Sequence, residues 1–433
     1  MTAILLISFT AYLVISIMAG LPIAFSLILC AAATAFQMNF DAPNSQIIAA
    51  QFMRGLDSVT MMALPFFILA GELMNKGGLT NRIIAFCNIF LGRVTGGLGY
   101  VVIFACLIFA SLVGSAVAST AALGAILIPM MAKSGYNKAE SAGLVASANL
   151  VSPIMPPSIP FIVYAGIANV SIGALFLGGI APAFYLTAIM CVTWFIVCRK
   201  NPIKSNEPRP SIKEAALVIL GGLWALFLPF IILFGLRFGF FTATEAGVIA
   251  VVYALFVGKI VYRELTFNSF VKAMVSAAKM SSVVMFLAAA AQVAAYFITI
   301  SGMQTLIAEG LGVFTDRPML LNVILQTIII LMGTCVDVVP TILIMTPIML
   351  PLLKAANIDL IYFGIVFTLA NVLGLTSPPV GPVLNVACAT GDVKMEQILK
   401  PVIPYYIAQV ILVYLLILFP QLVMVPYHWI AGK

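Results

Sequence analysis

Apolar segments of about 20 residues follow one another along the whole chain, and each is long enough to cross a bilayer as a helix. Only 8% of the residues are charged, whereas a soluble domain carries about 25%, so this composition cannot cover a water-facing surface. The apolar runs are continuous rather than alternating, which argues against a β-barrel. The sequence therefore predicts an all-α polytopic membrane protein and excludes a soluble enzyme and a nucleic-acid-binding protein.

Two of these segments, 97–131 and 319–352, are too long for a single crossing and contain internal Gly, Ser, Thr and Pro. Each is predicted to enter and leave on the same side as a re-entrant helical hairpin. The other segments are predicted to cross the membrane once each: 2–20, 21–37, 59–75, 139–164, 171–198, 214–236, 241–262, 281–301, 360–390 and 402–426.

One polar stretch, 199–213, divides the chain into halves of five predicted crossings, 1–198 and 214–433. Basic loops tend to be cytoplasmic, and placing this linker there puts 16 of the 21 Lys and Arg residues on the cytoplasmic side. Both termini are then predicted to lie on the opposite side of the membrane, outside the cytoplasm. Basic amphipathic stretches at 80–94 and 265–280 are predicted to lie along the membrane interface beside the hairpins.

The two halves share a repeated motif. ANLVSPIMPPS at 148–158 matches ANVLGLTSPPV at 370–380, so that Asn149 pairs with Asn371 at an offset of 222 residues. Pro129 and Pro351 share this offset. Five crossings in the first copy would invert the second, and inverted repeats with paired broken helices are typical of secondary transporters. The alternative is that these glycines and prolines only ease helix packing and kinking in lipid.

The repeated prolines predict unwound backbone at 152–160 and 374–382, because proline lacks an N–H and frees carbonyls of the preceding turn. Such carbonyls, together with Ser and Thr hydroxyls, form an oxygen shell suited to Na⁺. Half-helix N-termini that point into the same space favour a carboxylate substrate. The small residues Gly114-Ser115 and Gly333-Thr334 are predicted to form the two hairpin tips.

Three acidic residues lie well inside apolar segments, where an ionisable group costs about 2.5–3.5 kcal/mol. Asp337 is at the second predicted tip, so we expect a role in the substrate or cation site. Glu72 and Glu245 lie nearer the ends of their segments, where hydrogen-bonded structural roles are expected.

Several motifs together resemble the large membrane subunit of the tripartite ATP-independent periplasmic (TRAP) transporters, within the ion-transporter superfamily. They cover essentially the whole chain and are ALPFFILAGELMNKGGLTNRI (63–83), SLVGSAVAS (111–119), GFFTATEAGVIAVVYAL (239–255), GTCVDVVPTILIMTPIMLP (333–351) and GLTSPPVG (374–381). The resemblance implies Na⁺-coupled uptake of an organic acid by an elevator movement in a bacterial inner membrane. It also implies two partners, a periplasmic substrate-binding protein and a separate small membrane subunit of four helices.

The resemblance further implies particular site residues. The first Na⁺ site would use Val113, Ser115, Ser152, Met155 and Pro156, and the second Gly333, Thr334, Gly374, Ser377 and Pro378. Substrate would lie between them, near Ser115, Ser158 and Asp337. Family members often carry Asp where this chain has Ser119, so position 119 is not expected to supply charge here.

Other functions fit the sequence less well. A stand-alone carboxylate symporter of the same fold remains an alternative, and a passive channel is less favoured because nothing resembles a selectivity filter. An ATP-driven pump is excluded on this chain because it has no GxxxxGK[ST] motif. An enzyme is not expected, because the apolar segments hold no paired carboxylates and no Ser/His pair.

Overall fold

The computed structural model describes residues 2–38, 45–58, 60–200, 211–312, 314–378 and 381–432. Within these ranges the chain forms helices and turns and no strand. Most of the predicted 199–213 linker, residues 201–210, lies outside the described residues, as does Pro379 of the second Pro-Pro pair.

The helices of the first half are α1 Thr2–Met18, α2 Ile23–Gln37, α3 Ser45–Leu56, α4 Ala63–Lys76, α5 Leu79–Leu91, α6 Gly97–Val113, α7 Ala116–Lys133, α8 Lys138–Ala148, α9 Ile159–Ala168 and α10 Ile172–Lys200. Those of the second half are α11 Ile212–Arg237, α12 Ala243–Phe256, α13 Phe267–Ile300, α14 Met303–Gly312, α15 Pro318–Gly333, α16 Val338–Ala355, α17 Leu360–Gly374, α18 Pro382–Gly391, α19 Met395–Leu418 and α20 Gln421–Ala431. Across the described ranges, seven helical stretches are long and apolar enough to cross a membrane. The all-α membrane class is therefore confirmed.

The segment predicted as the first hairpin folds into α6 and α7, which pack against each other. Gly114 ends α6 with φ +65°, a left-handed conformation that glycine adopts without a Cβ penalty. Ser115 then caps α7, its Oγ accepting a hydrogen bond from the Ala118 N–H at 3.5 Å. Residues 113–115 thus form a tight turn, the first tip.

The second predicted hairpin folds into α15 and α16, which also contact each other. Their connection is longer than that of the first hairpin and ends at Asp337, whose Oδ1 accepts a hydrogen bond from the Val338 N–H at 2.7 Å. Asp337 is therefore the N-cap of α16. Residues 333–337 form the second tip.

Both proline-rich motifs interrupt a helix. After α8 a short 3₁₀ turn, Asn149–Val151, leads into irregular backbone, and helix resumes at Ile159. In the second half, α17 ends at Gly374 and α18 begins at Pro382. We define residues 152–158 as the first break and residues 375–381 as the second break.

Helix bounds in the two halves recur at the offset seen in the motifs. Shifting α7 by 222 residues gives 338–355, the bounds of α16, and α8 shifted in the same way begins at 360, where α17 begins. The packing recurs as well, since α7 contacts α18 and α16 contacts α9. The second arm of each hairpin therefore lies against the half-helix that follows the break of the other half.

Several details differ from the sequence-based expectation, and helix α14 at Met303–Gly312, between two predicted segments, is one of them. Residues 267–280 do not form a separate interfacial helix but the first half of α13, because nothing between 267 and 300 is Gly or Pro and Ala is frequent. Helix α3 was not expected, because its Gln, Ser and Arg residues lower its hydropathy. The segment 402–426 is divided between α19 and α20, next to Pro420.

Candidate functional site

The first tip touches the first break. A Cβ added to Gly114 would lie 2.8 Å from the backbone oxygen of Pro157, so the two backbones are in direct contact. Behind the tip, the Oγ atoms of Ser119 and Ser152 are hydrogen-bonded at 2.8 Å, and both side chains are fully buried. Ser119, which was expected to supply no charge, therefore still joins the hairpin to the break.

The prolines determine which carbonyls of the first break are free. In a continuous helix the oxygens of Ser152, Pro153 and Pro156 would accept from residues 156, 157 and 160, which are all proline. The oxygen of Pro153 accepts a hydrogen bond from the Ser158 hydroxyl instead. The carbonyls of Ser152 and Pro156 thus remain suited to hold a cation. Val113, Ser115 and Met155, the other predicted ligands of the first site, are half-buried.

The second tip touches the second break even more closely. A Cβ added to Gly374 would lie 2.0 Å from the carbonyl carbon of Gly333, and one added to Gly333 would lie 2.4 Å from the Asn371 oxygen. Ser377 is buried, and its Oγ donates to the Gly374 oxygen at 2.9 Å. Thr334 Oγ1 donates to the Leu331 oxygen at 2.8 Å, and Pro378 is exposed. The second tip, with Gly333 and Thr334, therefore lies directly against the segment that contains Gly374, Ser377 and Pro378.

A cavity of about 350 Å³ lies between the two tips, and we name it the tip cavity. Its wall includes Ser115 of the first tip, Asp337 of the second tip and Pro153 of the first break. The opposite wall is a face of α13 made of Met280, Val283, Val284 and Leu287. Two of the three predicted substrate residues, Ser115 and Asp337, thus face one space. Ser158 does not line it, being fully buried with its hydroxyl bonded to Pro153 and accepting from the Phe161 N–H.

Comparison with known proteins decides the family. The model of the family described as "Tripartite ATP-independent periplasmic transporter, DctM component" matches residues 10–422. The chain belongs to this TRAP large permease family. The resemblance seen in the sequence motifs is therefore correct, and the relatives are transporter subunits rather than enzymes.

Individual relatives agree with this assignment. The large permease is 43% identical over 412 residues to the Escherichia coli K12 2,3-diketo-L-gulonate TRAP transporter large permease protein, covering 95% of this chain and 96% of that protein. It is 32% identical over 403 residues to the sialic acid TRAP transporter large permease protein of Vibrio cholerae serotype O1, covering 93% and 94%. Among solved structures, the Alcanivorax borkumensis YdaH transporter matches with a TM-score of 0.63 at 14% identity, over 91% of each chain. That likeness shows a shared fold.

The large permease also has two buried asparagines next to its breaks. Asn149 and Asn371, the pair that set the 222-residue register, are both fully buried. Among the described residues, Asn149 Oδ1 and both polar side-chain atoms of Asn371 have no hydrogen-bond partner. Leaving a buried polar group without a partner costs about 1–3 kcal/mol, so these atoms are candidates for binding a ligand. Sequence reasoning used these residues only as repeat markers, although paired amides in apolar segments were visible.

Glu245 and Glu72, the other two acidic residues inside apolar segments, have hydrogen-bonding partners, as expected. Glu245 forms a capping box at the start of α12, accepting from the Thr242 N–H at 2.7 Å while its own N–H donates to Thr242 Oγ1 at 3.3 Å. Glu72 Oε1 accepts from Ser276 Oγ at 2.9 Å, which connects α4 to α13.

Proposed function

We propose that this large permease imports a hydroxylated organic acid together with Na⁺. The observation that carries the proposal is the tip cavity, because it places a helix N-terminus and a carboxylate on one space between two tip–break contacts. Its volume of about 350 Å³ is in the range of small-ligand pockets. The named substrates of the two relatives, 2,3-diketo-L-gulonate and sialic acid, are both hydroxylated carboxylic acids, which supports this substrate class.

The two tips differ in a way that orients the substrate. Helix α7 begins at the first tip behind the neutral cap Ser115, so its positive end is open to a carboxylate. Helix α16 begins behind Asp337, whose charge already compensates that helix end and would repel a second carboxylate. We therefore infer that the substrate carboxylate lies at the first tip and that its hydroxyl groups donate to Asp337.

Na⁺ is the second species carried. It prefers oxygen ligands, and each tip–break contact brings backbone carbonyls close to hydroxyl groups, with the unpartnered Oδ1 atoms of Asn149 and Asn371 close by in sequence. A cation held there would join a hairpin tip to a helix break and give the orphaned oxygens a partner. Substrate and Na⁺ would then stabilise the same arrangement of tips and breaks. The binding of one would favour the binding of the other, so the Na⁺ gradient could drive accumulation of the substrate.

The remaining parts of the transporter follow from the family description, which makes this chain one component of three. We propose that the others are a small four-helix membrane subunit and a periplasmic binding protein that delivers the substrate. The chain would lie in a bacterial inner membrane with both termini periplasmic. Its two halves would form inverted repeats, and the hairpins and broken helices would move together as an elevator along the remaining helices.

Uptake into proteoliposomes tests this function. The large permease is reconstituted with its small subunit, and labelled 2,3-diketo-L-gulonate and sialic acid are supplied with and without the cognate binding protein across an imposed Na⁺ gradient. We expect accumulation that requires both the gradient and the binding protein. Accumulation without the binding protein would favour a stand-alone symporter, and equilibration indifferent to any ion gradient would favour a passive channel.

The unpartnered asparagine gives a prediction that does not need a substrate. Asn371→Leu removes the orphaned amide at similar volume, so without Na⁺ the melting temperature should stay the same or rise, since removing an unsatisfied buried amide is worth about 1–3 kcal/mol. The Na⁺-dependent rise in melting temperature of the wild-type complex should disappear. Asn322→Leu is the matched control, because the Asn322 amide donates to the Tyr362 hydroxyl at 3.1 Å. That variant should lose stability yet still respond to Na⁺; an Asn371→Leu protein that keeps the full response would exclude Asn371 as a ligand.

A further inference from the structure

A second and larger cavity, of about 530 Å³, lies away from both tips. Its walls come from α3, from the end of α9, from the outer part of α13, from α14 and from α16. The basic-residue count places this end of α13 on the periplasmic side, as it does the loop before α4. We name it the Arg54 cavity, after the one charged residue among the described residues that line it.

The polar lining of the Arg54 cavity suits an anion with several hydrogen-bonding groups. Besides the Arg54 guanidinium, the wall carries the amides of Gln51, Gln292 and Gln304 and the hydroxyl of Tyr296. A guanidinium binds a carboxylate through two parallel hydrogen bonds, and amides can serve hydroxyl groups as donors or acceptors. No acidic side chain among the described residues lines this wall to cancel the positive charge.

The position of Arg54 is fixed by close helix packing. A Cβ added to the neighbouring Gly55 would lie 2.6 Å from the Ala289 Cα atom and 3.0 Å from the Gln292 Cβ atom. Helix α3 therefore lies directly on α13, which holds Arg54 next to the amide-bearing part of that helix. On the far wall, Gln304 Nε2 donates to the Pro347 oxygen of α16 at 3.2 Å.

One face of α13 connects the two cavities. Met280, Val284 and Leu287 line the tip cavity, and the same face continues at helical spacing through Ala288, Ala291 and Ala295 into the Arg54 cavity. The rise of 1.5 Å per residue puts residue 295 roughly 16 Å beyond residue 284. Leu287 lines the tip cavity and the next residue, Ala288, lines the Arg54 cavity, so the two cavities adjoin the same helix at consecutive residues.

We propose that the Arg54 cavity is an entry site that binds the carboxylate of the organic acid on the periplasmic side before the substrate reaches the tip cavity. The carboxylate identity of this ligand rests on the proposed function. Arg54 supplies charge and orientation, while the amides and Tyr296 receive the hydroxyl groups. The tip cavity holds no fixed positive side chain among the described residues, so the entry site provides attraction that the tip cavity lacks.

The first test measures the electrostatic character of the cavity without any transport. A cysteine is introduced at Thr299, which lines the cavity, and the complex in spheroplasts is treated with membrane-impermeant methanethiosulfonates, one anionic (sulfonatoethyl) and one cationic (trimethylammonioethyl). Reaction is followed by mass spectrometry on the peptide containing residue 299, so native cysteines do not contribute. We expect the anionic reagent to be favoured and Arg54→Gln to lower the anionic-to-cationic rate ratio by about threefold or more.

The control cysteine is placed at Phe240, an exposed residue predicted to lie on the same side of the membrane and outside the cavity. Its rate ratio should not change with Arg54→Gln. No reaction at Thr299→Cys from the periplasmic side, or a ratio that Arg54→Gln leaves unchanged, overturns the proposal. This result does not depend on Na⁺ coupling, so it stands apart from success or failure of the uptake experiment.

The second test separates entry from docking of the binding protein. Uptake of 2,3-diketo-L-gulonate or sialic acid, whichever the complex accumulates, is measured against the concentration of loaded binding protein. We expect Arg54→Gln to lower maximal uptake about tenfold or more, with the half-saturating concentration of binding protein unchanged. Arg54→Lys should recover only part of the rate, because an ammonium group keeps the charge but cannot form the two parallel hydrogen bonds. A shift in half-saturation without loss of maximal uptake would assign Arg54 to the docking surface and contradict an entry site.

Discussion

Gly374→Ala is expected to reduce Na⁺-dependent uptake by about 100-fold or more while the complex still assembles in the membrane. The added methyl group would lie 2.0 Å from the Gly333 carbonyl carbon, well inside van der Waals contact with backbone that cannot rotate away. The second tip and the second break must then separate by more than an ångström. Cation ligands have to be placed within a few tenths of an ångström, so a shift of this size should destroy the second proposed Na⁺ site.

The measurement is initial uptake in proteoliposomes at fixed membrane potential, with reconstituted protein quantified. Gly310→Ala is the matched control, because Gly310 is also a helical glycine but a Cβ there meets nothing within 4 Å. That control should transport like the wild type. A Gly374→Ala protein with normal uptake and normal Na⁺ dependence would show that the tip–break contact is not where the cation is held.

The repeated proline motif is the reason why much of the fold could be predicted from the sequence. Proline carries its structural consequence locally, so the interruptions between Ala148 and Ile159 and between Gly374 and Pro382 follow from sequence alone. The 222-residue register likewise predicts that both halves use the same motif. The full length of helix α13 was harder to predict, because Lys272 and Lys279 lower the hydropathy of its first half. No Gly or Pro interrupts the helix, so it continues through this half.

The site could be predicted only in part, for a different physical reason. The motifs name the tip residues, but the wall of the tip cavity comes from α13, and no local pattern places Met280 or Leu287 opposite Ser115. Ser158 is a residue that the motif suggests wrongly as part of the cavity wall. Its position in the motif suggests a ligand, yet its hydroxyl is used inside the first break. The unpartnered atoms of Asn371 could be identified only after the surrounding packing was known.

Substitution of Asp337 is expected to give the second large effect on uptake. Which substrates lose uptake tests how the substrate is oriented in the tip cavity. If substrate hydroxyls donate to this carboxylate, Asp337→Ala should lower uptake of a hydroxylated acid by about 10–100-fold, since a hydrogen bond to a charged group contributes about 1.5–3 kcal/mol. Part of any loss could come from the cap, because Asp337 Oδ1 also accepts the Val338 N–H. Asp337→Ser retains a capping oxygen but removes the charge, so it separates the two contributions.

The decisive comparison uses two substrates. Asp337→Ser should transport a hydroxylated acid poorly, whereas its uptake of a small dicarboxylate such as succinate should be unchanged or improved, because a repelling carboxylate has been removed from the tip cavity. Ser115→Ala, at the opposite tip, should weaken both substrates alike, since it lies where the common carboxylate is proposed to bind. Equal losses for both substrates in Asp337→Ser would contradict the proposed orientation and would instead place Asp337 in the cation site, where its charge serves every substrate in the same way.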